Sequence, residues 1–271
     1  MTTARSPWVL KVGGRELRPG EELQRLSDSV ATAVRTGRPT VVVHGGGDEI
    51  SERAEALGLP TERVLGQRKT DAATLEIVVE VLAGRINLRL VQALQAAGVP
   101  AFGLSGISGR LLSVVPTPSL GFVGTPDRVR PHLLRTLLGD GLTPVVAPLG
   151  LGPDGTVHNV NADLAASAIA GALGVELALL TDVPAVLDQE GRPIPTLRVG
   201  QLRGLVESGV ATDGMIPKLD AAERALNEGA PSVWIGDLDG LGSPGRGTTV
   251  LGRRPLPYNI LPMTVPGAGK R

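Results

Sequence analysis

Short apolar runs, several ending in a glycine-rich turn and followed by a segment with helical spacing, recur along the chain and leave few folds open to it. Residues 8–12 read as a strand ending in Gly13-Gly14. Residues 21–35 carry helical spacing through Leu23, Leu26, Val30 and Val34 and stop at Gly37. Residues 40–43 form a continuous apolar run, the pattern of a strand buried on both faces of a parallel sheet, and lead into His44-Gly45-Gly46-Gly47 and a helix to Leu57. The longest predicted helix spans 71–97, capped by Thr70 or Asp71 and stopped at Gly98; it is apolar on more than one stripe and so expected to be buried on two sides. Further strands are expected at 101–104, 143–147, 157–160, 177–181 and 232–235, and helices at 127–138, 162–173, 200–208 and 216–227. Residues 111–123 read as a hairpin interrupted by Pro116, Pro118 and Gly121. This alternation predicts an α/β fold built on a mostly parallel sheet.

Composition narrows the function. The chain has 271 residues, enough for one large domain or two small ones, and no linker or internal repeat divides it. Its 27 Lys and Arg balance 27 Asp and Glu, and two Trp, two Phe and one Tyr offer few stacking platforms, so nucleic acid is not an expected partner. No apolar run approaches the roughly 18 residues of a membrane span, and no charged-then-apolar leader opens the chain. The absence of cysteine excludes disulfides, thiol nucleophiles and Cys-ligated zinc, and a cytoplasmic location is expected. Only Lys11, Lys69, Lys218 and Lys270 are lysines in an arginine-rich chain. A lysine is a compact point charge that a guanidinium does not replace at a tight phosphate site, so the survivors are informative.

Lys11-Val12-Gly13-Gly14 and the His44 glycine run each close a buried strand, where open α/β sheets bind ligands. Glycines there let backbone N–H groups approach an anion, and a following helix N-terminus favours negative charge. Two G-x-G-x-x-G matches, starting at Gly150 and Gly240, precede strands rather than open helices, and read as turns. His158-Asn-Val-Asn-Ala-Asp163 leads from a strand into an apolar helix; Asn161 suits its N-cap, yet the stretch carries more amide and carboxylate groups than one cap needs. Lys218 falls in the first turn of a helix, the unfavourable end for a cation unless an anion lies beside it. His44, His132 and His158 lack the spacing of a metal cluster.

In order, residues 11–14, 43–47, 66–71, 103–106, 121–124, 159–163, 180–183 and 214–218 resemble the amino-acid kinase family, most closely its acetylglutamate kinase branch. The resemblance implies a three-layer αβα sandwich around an open, mostly parallel sheet, with an N-terminal substrate lobe over about 1–174, a C-terminal ATP lobe over about 175–252 and a Pro-rich tail at 253–271. It implies transfer of the ATP γ-phosphoryl group to the side-chain carboxylate of N-acetyl-L-glutamate, with Mg2+ entering on the nucleotide. By position Lys11 and Lys218 match the lysines that stabilise the transition state, and Asp163 the aspartate that organises them. Gly46 and Gly47 match backbone donors to substrate, and Arg68 and Asn159 the groups holding the amino-acid end. Gly13, Gly14, Asp182, Val183, Pro184, Ala185, Val186, Leu187, Val210, Ala211 and Thr212 match nucleotide-binding positions. Lys69, Ser108 and Leu88 depart from the family pattern. The chain opens ten residues before Lys11, without the longer N-terminal helix of arginine-inhibited hexamers. A homodimer through the long central helix is therefore expected. A kinase for an aminoadipyl or glutamyl group on a small carrier protein, and a non-catalytic amino-acid sensor, are the alternatives.

Overall fold

The computed structural model describes residues 6–64, 66–212, 214–243 and 245–252; the Pro-rich tail expected over 253–271 lies outside the described residues. In chain order the strands and helices are β1 (Trp8–Val12), α1 (Glu21–Arg35), β2 (Thr40–His44), α2 (Gly47–Ala56), β3 (Arg63–Val64), β4 (Gln67–Arg68), α3 (Ala72–Val79), a π-helical stretch (Glu80–Ile86), α4 (Asn87–Ala96), β5 (Ala101–Ser105), β6 (Leu112–Pro116), β7 (Gly124–Val129), α5 (His132–Gly139) and β8 (Thr143–Ala147). There follow β9 (Leu149–Leu151), β10 (Val157–Asn159), α6 (Ala162–Leu173), β11 (Glu176–Leu180), β12 (Thr196–Arg198), α7 (Val199–Glu207), α8 (Met215–Asn227), β13 (Ser232–Gly236) and β14 (Thr248–Leu251).

The main sheet runs β12-β14-β13-β11-β1-β2-β8-β5. Its strands pair in parallel from β13 to β5, and only the β13–β14 ladder is antiparallel. Side chains of alternate strand residues feed two separate cores, as the period of two requires. Leu10, Val12, Val42, Val145 and Leu180 pack under α1 to α4, whereas Val9, Val41, Val43, Val146 and Leu179 pack under α5 to α8. The result is the expected αβα sandwich. A smaller sheet, β10-β9-β6-β7, lies beyond β8, and β3 pairs with β4 in a two-stranded hairpin.

Local chemistry sets the boundaries. Asp71 caps α3 by accepting a hydrogen bond from the Thr74 amide at 2.8 Å, and Asn161 caps α6 by accepting from the amides of Asp163 and Leu164 at 2.8 and 3.2 Å. The expected 71–97 helix is continuous but changes pitch midway, through the π-helical stretch.

Two expectations need correction. The helix expected from residue 127 begins at His132, because residues 124–129 return as β7 to complete the hairpin; Pro126 is accommodated where the β6–β7 register shifts. The turn expected at 150–155 starts later, because Gly150 lies within β9, where a Cβ would come 2.4 Å from the Val114 side chain.

Candidate active site

The carboxyl ends of β1 and β11 are neighbours, and the chain leaves them in opposite directions across the sheet: β1 leads towards β2, β11 towards β13. Ligands of open α/β sheets bind at such a divergence. On the β1–β2 side of it a cavity of about 240 Å³ opens, lined among others by Lys11, Gly13, Gly14, Gly46, Gly47, Arg68, Asn159 and Asp163. These residues come from β1, the turn into α2, the β3–β4 hairpin, β10 and the start of α6, segments separated by up to about 150 positions.

At one end Lys11 Nζ lies 2.9 Å from Asp163 Oδ1, with side-chain exposures of only 12% and 10%. Gly13 leaves room for this ammonium: a Cβ there would stand 3.2 Å from Nζ. Burial pushes the Asp163 carboxyl up, but Lys11 and Lys218 outweigh it and hold the group below the ordinary carboxylate value. Asp163 is therefore ionised at neutral pH. Lys218 lies on α8, and α8 reaches Asp163 because α6 is lined with small residues. Ser167 Oγ sits 2.8 Å from the carbonyls of both Asp163 and Ala221, and a Cβ on Gly171 would meet Glu228 Cβ at 2.6 Å. Lys218 makes no ion pair within 4.0 Å among the described residues; burial lowers its pKa, with Asp163 opposing and Lys11 adding to the shift. Two ammonium groups thus share one buried carboxylate, leaving excess positive charge for an anion to take up.

The opposite wall carries Arg68, 5% exposed. Its Nη2 donates to the Gly47 carbonyl at 2.7 Å and to Ser51 Oγ at 2.6 Å, while Nη1 is buried without a partner. Among the described residues no carboxylate reaches Arg68 within ion-pair distance. Burial foremost, and the neighbouring Arg63 next, lower its pKa. A buried guanidinium without a counter-ion asks for an anionic ligand. Asn159 Nδ2 donates to Thr70 Oγ1 at 3.2 Å, which directs its amide along the same wall.

The floor is the glycine run after β2. His44 is fully buried and burial pushes its pKa down to about 4, so it is neutral. Nδ1 carries the proton, because it faces the Gly45 carbonyl at 2.9 Å, and Nε2 accepts from Asn87 Nδ2 at 3.2 Å. Gly46 passes beneath the π-helical stretch: a Cβ there would meet Ile86 Cδ1 at 2.4 Å and Leu82 Cδ2 at 2.7 Å. Gly47 begins α2, so the turn presents helix N-terminal amides to the cavity.

The remaining residues expected at a nucleotide lie apart from this cavity. Asp182 to Leu187 follow the carboxyl end of β11; Asp182 is exposed, whereas Ala185 and Val186 are buried in the core. The Val186 amide donates to Thr248 Oγ1 at 2.9 Å. Of Val210 to Thr212, Ala211 is buried and the Thr212 carbonyl accepts from the Met215 amide at the start of α8. These stretches line no part of the 240 Å³ cavity, although Asp182 acts electrostatically on Lys218. Conversely, Arg63, Gln67, Val123 and Asn161 line the cavity and were not singled out as ligand contacts by sequence pattern. Asn161 was legible as a cap; Arg63 and Gln67 could have been found only through the hairpin register.

Known proteins resemble the chain across this whole framework. Residues 6–237 match the model of the amino acid kinase family. The acetylglutamate kinase of Methanopyrus kandleri is 46% identical over 254 residues, covering 89% of this chain and 99% of that protein. The acetylglutamate kinase of Rubrobacter xylanophilus is 47% identical over 228 residues, covering 84% and 87%. Among solved structures, smu.665 from Streptococcus mutans superimposes with a TM-score of 0.80 at 27% identity, covering 90% of this chain and 98% of that one. Carbamate kinase from Giardia lamblia, at 17% identity and a TM-score of 0.68, covers 93% and 100% and shares the fold. By the family model matched over residues 6–237 and by relatives this similar over most of its length, the chain belongs to the amino acid kinase family.

Proposed function

We propose that this chain phosphorylates the side-chain carboxylate of N-acetyl-L-glutamate with ATP, giving N-acetyl-L-glutamyl 5-phosphate and ADP. The relatives that cover most of the chain are acetylglutamate kinases, which supports the substrate pair. The observation that carries the reading is the polarity of one cavity: Lys11 on Asp163 at one end, with Lys218 acting on the same carboxylate from outside the lining, and the unneutralised Arg68 at the other. A dianionic amino-acid derivative matches both ends.

In the reaction a carboxylate oxygen attacks the γ-phosphorus, the bond from phosphorus to the β–γ bridging oxygen breaks, and ADP leaves with that electron pair. The nucleophile is already ionised at neutral pH, so no general base is needed. Catalysis then consists of positioning and charge neutralisation. Lys11 and Lys218 offset the repulsion between carboxylate and phosphoryl group, and Asp163 holds the lysines without neutralising both. Amides of the glycine run receive phosphoryl or carboxylate oxygens. ATP enters as its magnesium complex and lies over the carboxyl end of β11, along Asp182–Leu187 and Val210–Thr212. Residues 1–174 hold the acceptor in this reading and 175–252 the nucleotide.

Incubation with Mg-ATP, N-acetyl-L-glutamate and hydroxylamine is expected to trap an acetylglutamate-dependent hydroxamate, with glutamate and aspartate inactive. Absence of product while ATP still binds would overturn the free-metabolite reading in favour of a carrier-linked acceptor. Absence of ATP binding as well would favour a sensor.

A further inference from the structure

The β3–β4 hairpin pairs Arg63 directly with Arg68. Side chains directly opposite in an antiparallel pair emerge on the same face with Cβ atoms roughly 5 Å apart, and like charges there are destabilising. Nothing among the described residues relieves this pair. Among the described residues no carboxylate lies within 4.0 Å of either guanidinium: Glu62 is taken by Lys69 at 3.0 Å, and Asp48 acts on Arg68 only at longer range. Arg63 Nη1 donates to a neutral group, the Gly66 carbonyl at 3.3 Å, in its own turn. Its Nη2 lies 3.1 Å from where a Cβ of Gly47 would stand, and Arg68 Nη2 donates to the Gly47 carbonyl. Both guanidinium groups therefore converge on one residue at the cavity wall, and both line the cavity.

We propose that Arg63 is a substrate-binding residue which, with Arg68, forms a two-arginine clamp on the α-carboxylate of the acceptor. The inference rests on the kinase reading above and adds to it a specificity determinant: the clamp selects acceptors that carry a second carboxylate at the amino-acid end. Arg68 is fixed by Gly47 and Ser51 and supplies the buried half. Arg63 is exposed at the mouth, held only by the Gly66 carbonyl of its own turn, and supplies the outer half. An anion between them turns a repulsive cross-strand pair into two attractive contacts.

The test compares N-acetyl-L-glutamate with 4-acetamidobutanoate, the same molecule without its α-carboxylate. Kd is measured by calorimetry and KM and kcat by hydroxamate formation, in the parent protein, Arg63→Gln and Arg63→Lys. Because Arg63 is exposed, neither substitution disturbs the core. Loss of one charge-assisted contact is expected to raise Kd and KM for acetylglutamate roughly tenfold in Arg63→Gln, with kcat little changed. Arg63→Lys should recover part of the loss. The substitution should have no effect on the decarboxylated analogue. Parent turnover with an unchanged KM in Arg63→Gln, or an equal loss with both ligands, would overturn the clamp and leave the kinase reading standing. Binding that depends on the α-carboxylate and on Arg63, without parent turnover, would do the reverse. No acetylglutamate binding by the parent protein would overturn both.

Discussion

The two sides of the β1–β11 divergence are built from different materials. On the side proposed for the acceptor, charged groups are buried and fixed: Lys11 on Asp163, Arg68 on Gly47 and Ser51, and His44 on Gly45. On the side assigned to ATP, the buried side chains are apolar, Ala185, Val186 and Ala211, and the charged Asp182 is exposed and only 3.9 Å from an equally exposed Arg15. A small acceptor must be discriminated by a few groups, so it needs charges whose positions are set before it arrives. A nucleotide offers a larger surface and can be met by backbone groups, with side chains facing inward to hold the loop. Buried charge thus marks the side where single substitutions matter most.

The comparison is broken most severely at Asp163. Asp163→Asn leaves two ammonium groups close together without their shared anion, and should reduce kcat on the order of a hundredfold or more while also destabilising the fold. Steady-state hydroxamate assays with parallel urea titrations check both effects. Retention of near-parent kcat would mean that Asp163 does not organise the lysines.

A finer test contrasts the two ends of the cavity. Lys218→Ala should cut turnover far more than it weakens ATP binding, whereas Arg68→Ala should mainly raise the KM for acetylglutamate. Comparable changes in both parameters for both variants would erase the proposed division of labour.

The buried imidazole gives a smaller effect, on stability. His44 titrates near 4 in the folded chain and near 6.5 when unfolded. Between those values the unfolded state holds a proton that the folded state does not, so stability falls as pH falls from about 6.5 towards 4. The whole window corresponds to about 3 kcal/mol. Urea midpoints at pH 7 and pH 4.5 should diverge more in the parent protein than in His44→Gln. An identical pH response would show that the imidazole is not held neutral.

The smallest effect belongs to the exposed side. Arg15→Ala should change stability by less than about 1 kcal/mol, because an exposed pair at this separation is screened by water. Thermal melts showing a larger loss would mean that this surface is more ordered than its exposure implies.

Much of the acceptor side was legible because its chemistry is local. Lys11-Val-Gly-Gly14, the glycine run after His44 and the Asn161 cap each declare themselves within a few residues. The doubly buried strands also announced a parallel sheet through uninterrupted apolar runs. Arg63 was not legible, since its significance depends on facing Arg68 across a hairpin whose strands are two residues long. The end of the β6–β7 hairpin was hidden by Pro126, which reads as a strand breaker yet sits at a register shift. The antiparallel β13–β14 ladder leaves no mark in β13, whose run from Val233 to Gly236 is buried on both faces like that of its parallel neighbours.

The π-helical stretch Glu80–Ile86 acts as a phase adjuster between the two α-helical halves of the central helix. Each residue of an α-helix advances the side-chain direction by about 100°. Forcing these seven residues into an α ladder at unchanged length would turn every downstream position by about that angle, because the wider π turns absorb one extra residue. Asn87 would swing away from His44, and Leu90 and Leu94 would leave the core that they now fill. Upstream, Leu82 and Ile86 could no longer both press on Gly46. The stretch therefore carries one residue more than an α-helix of the same rotation would hold, and loss of its π ladder at unchanged length would miscut the floor of the cavity without touching any residue that lines its charged ends.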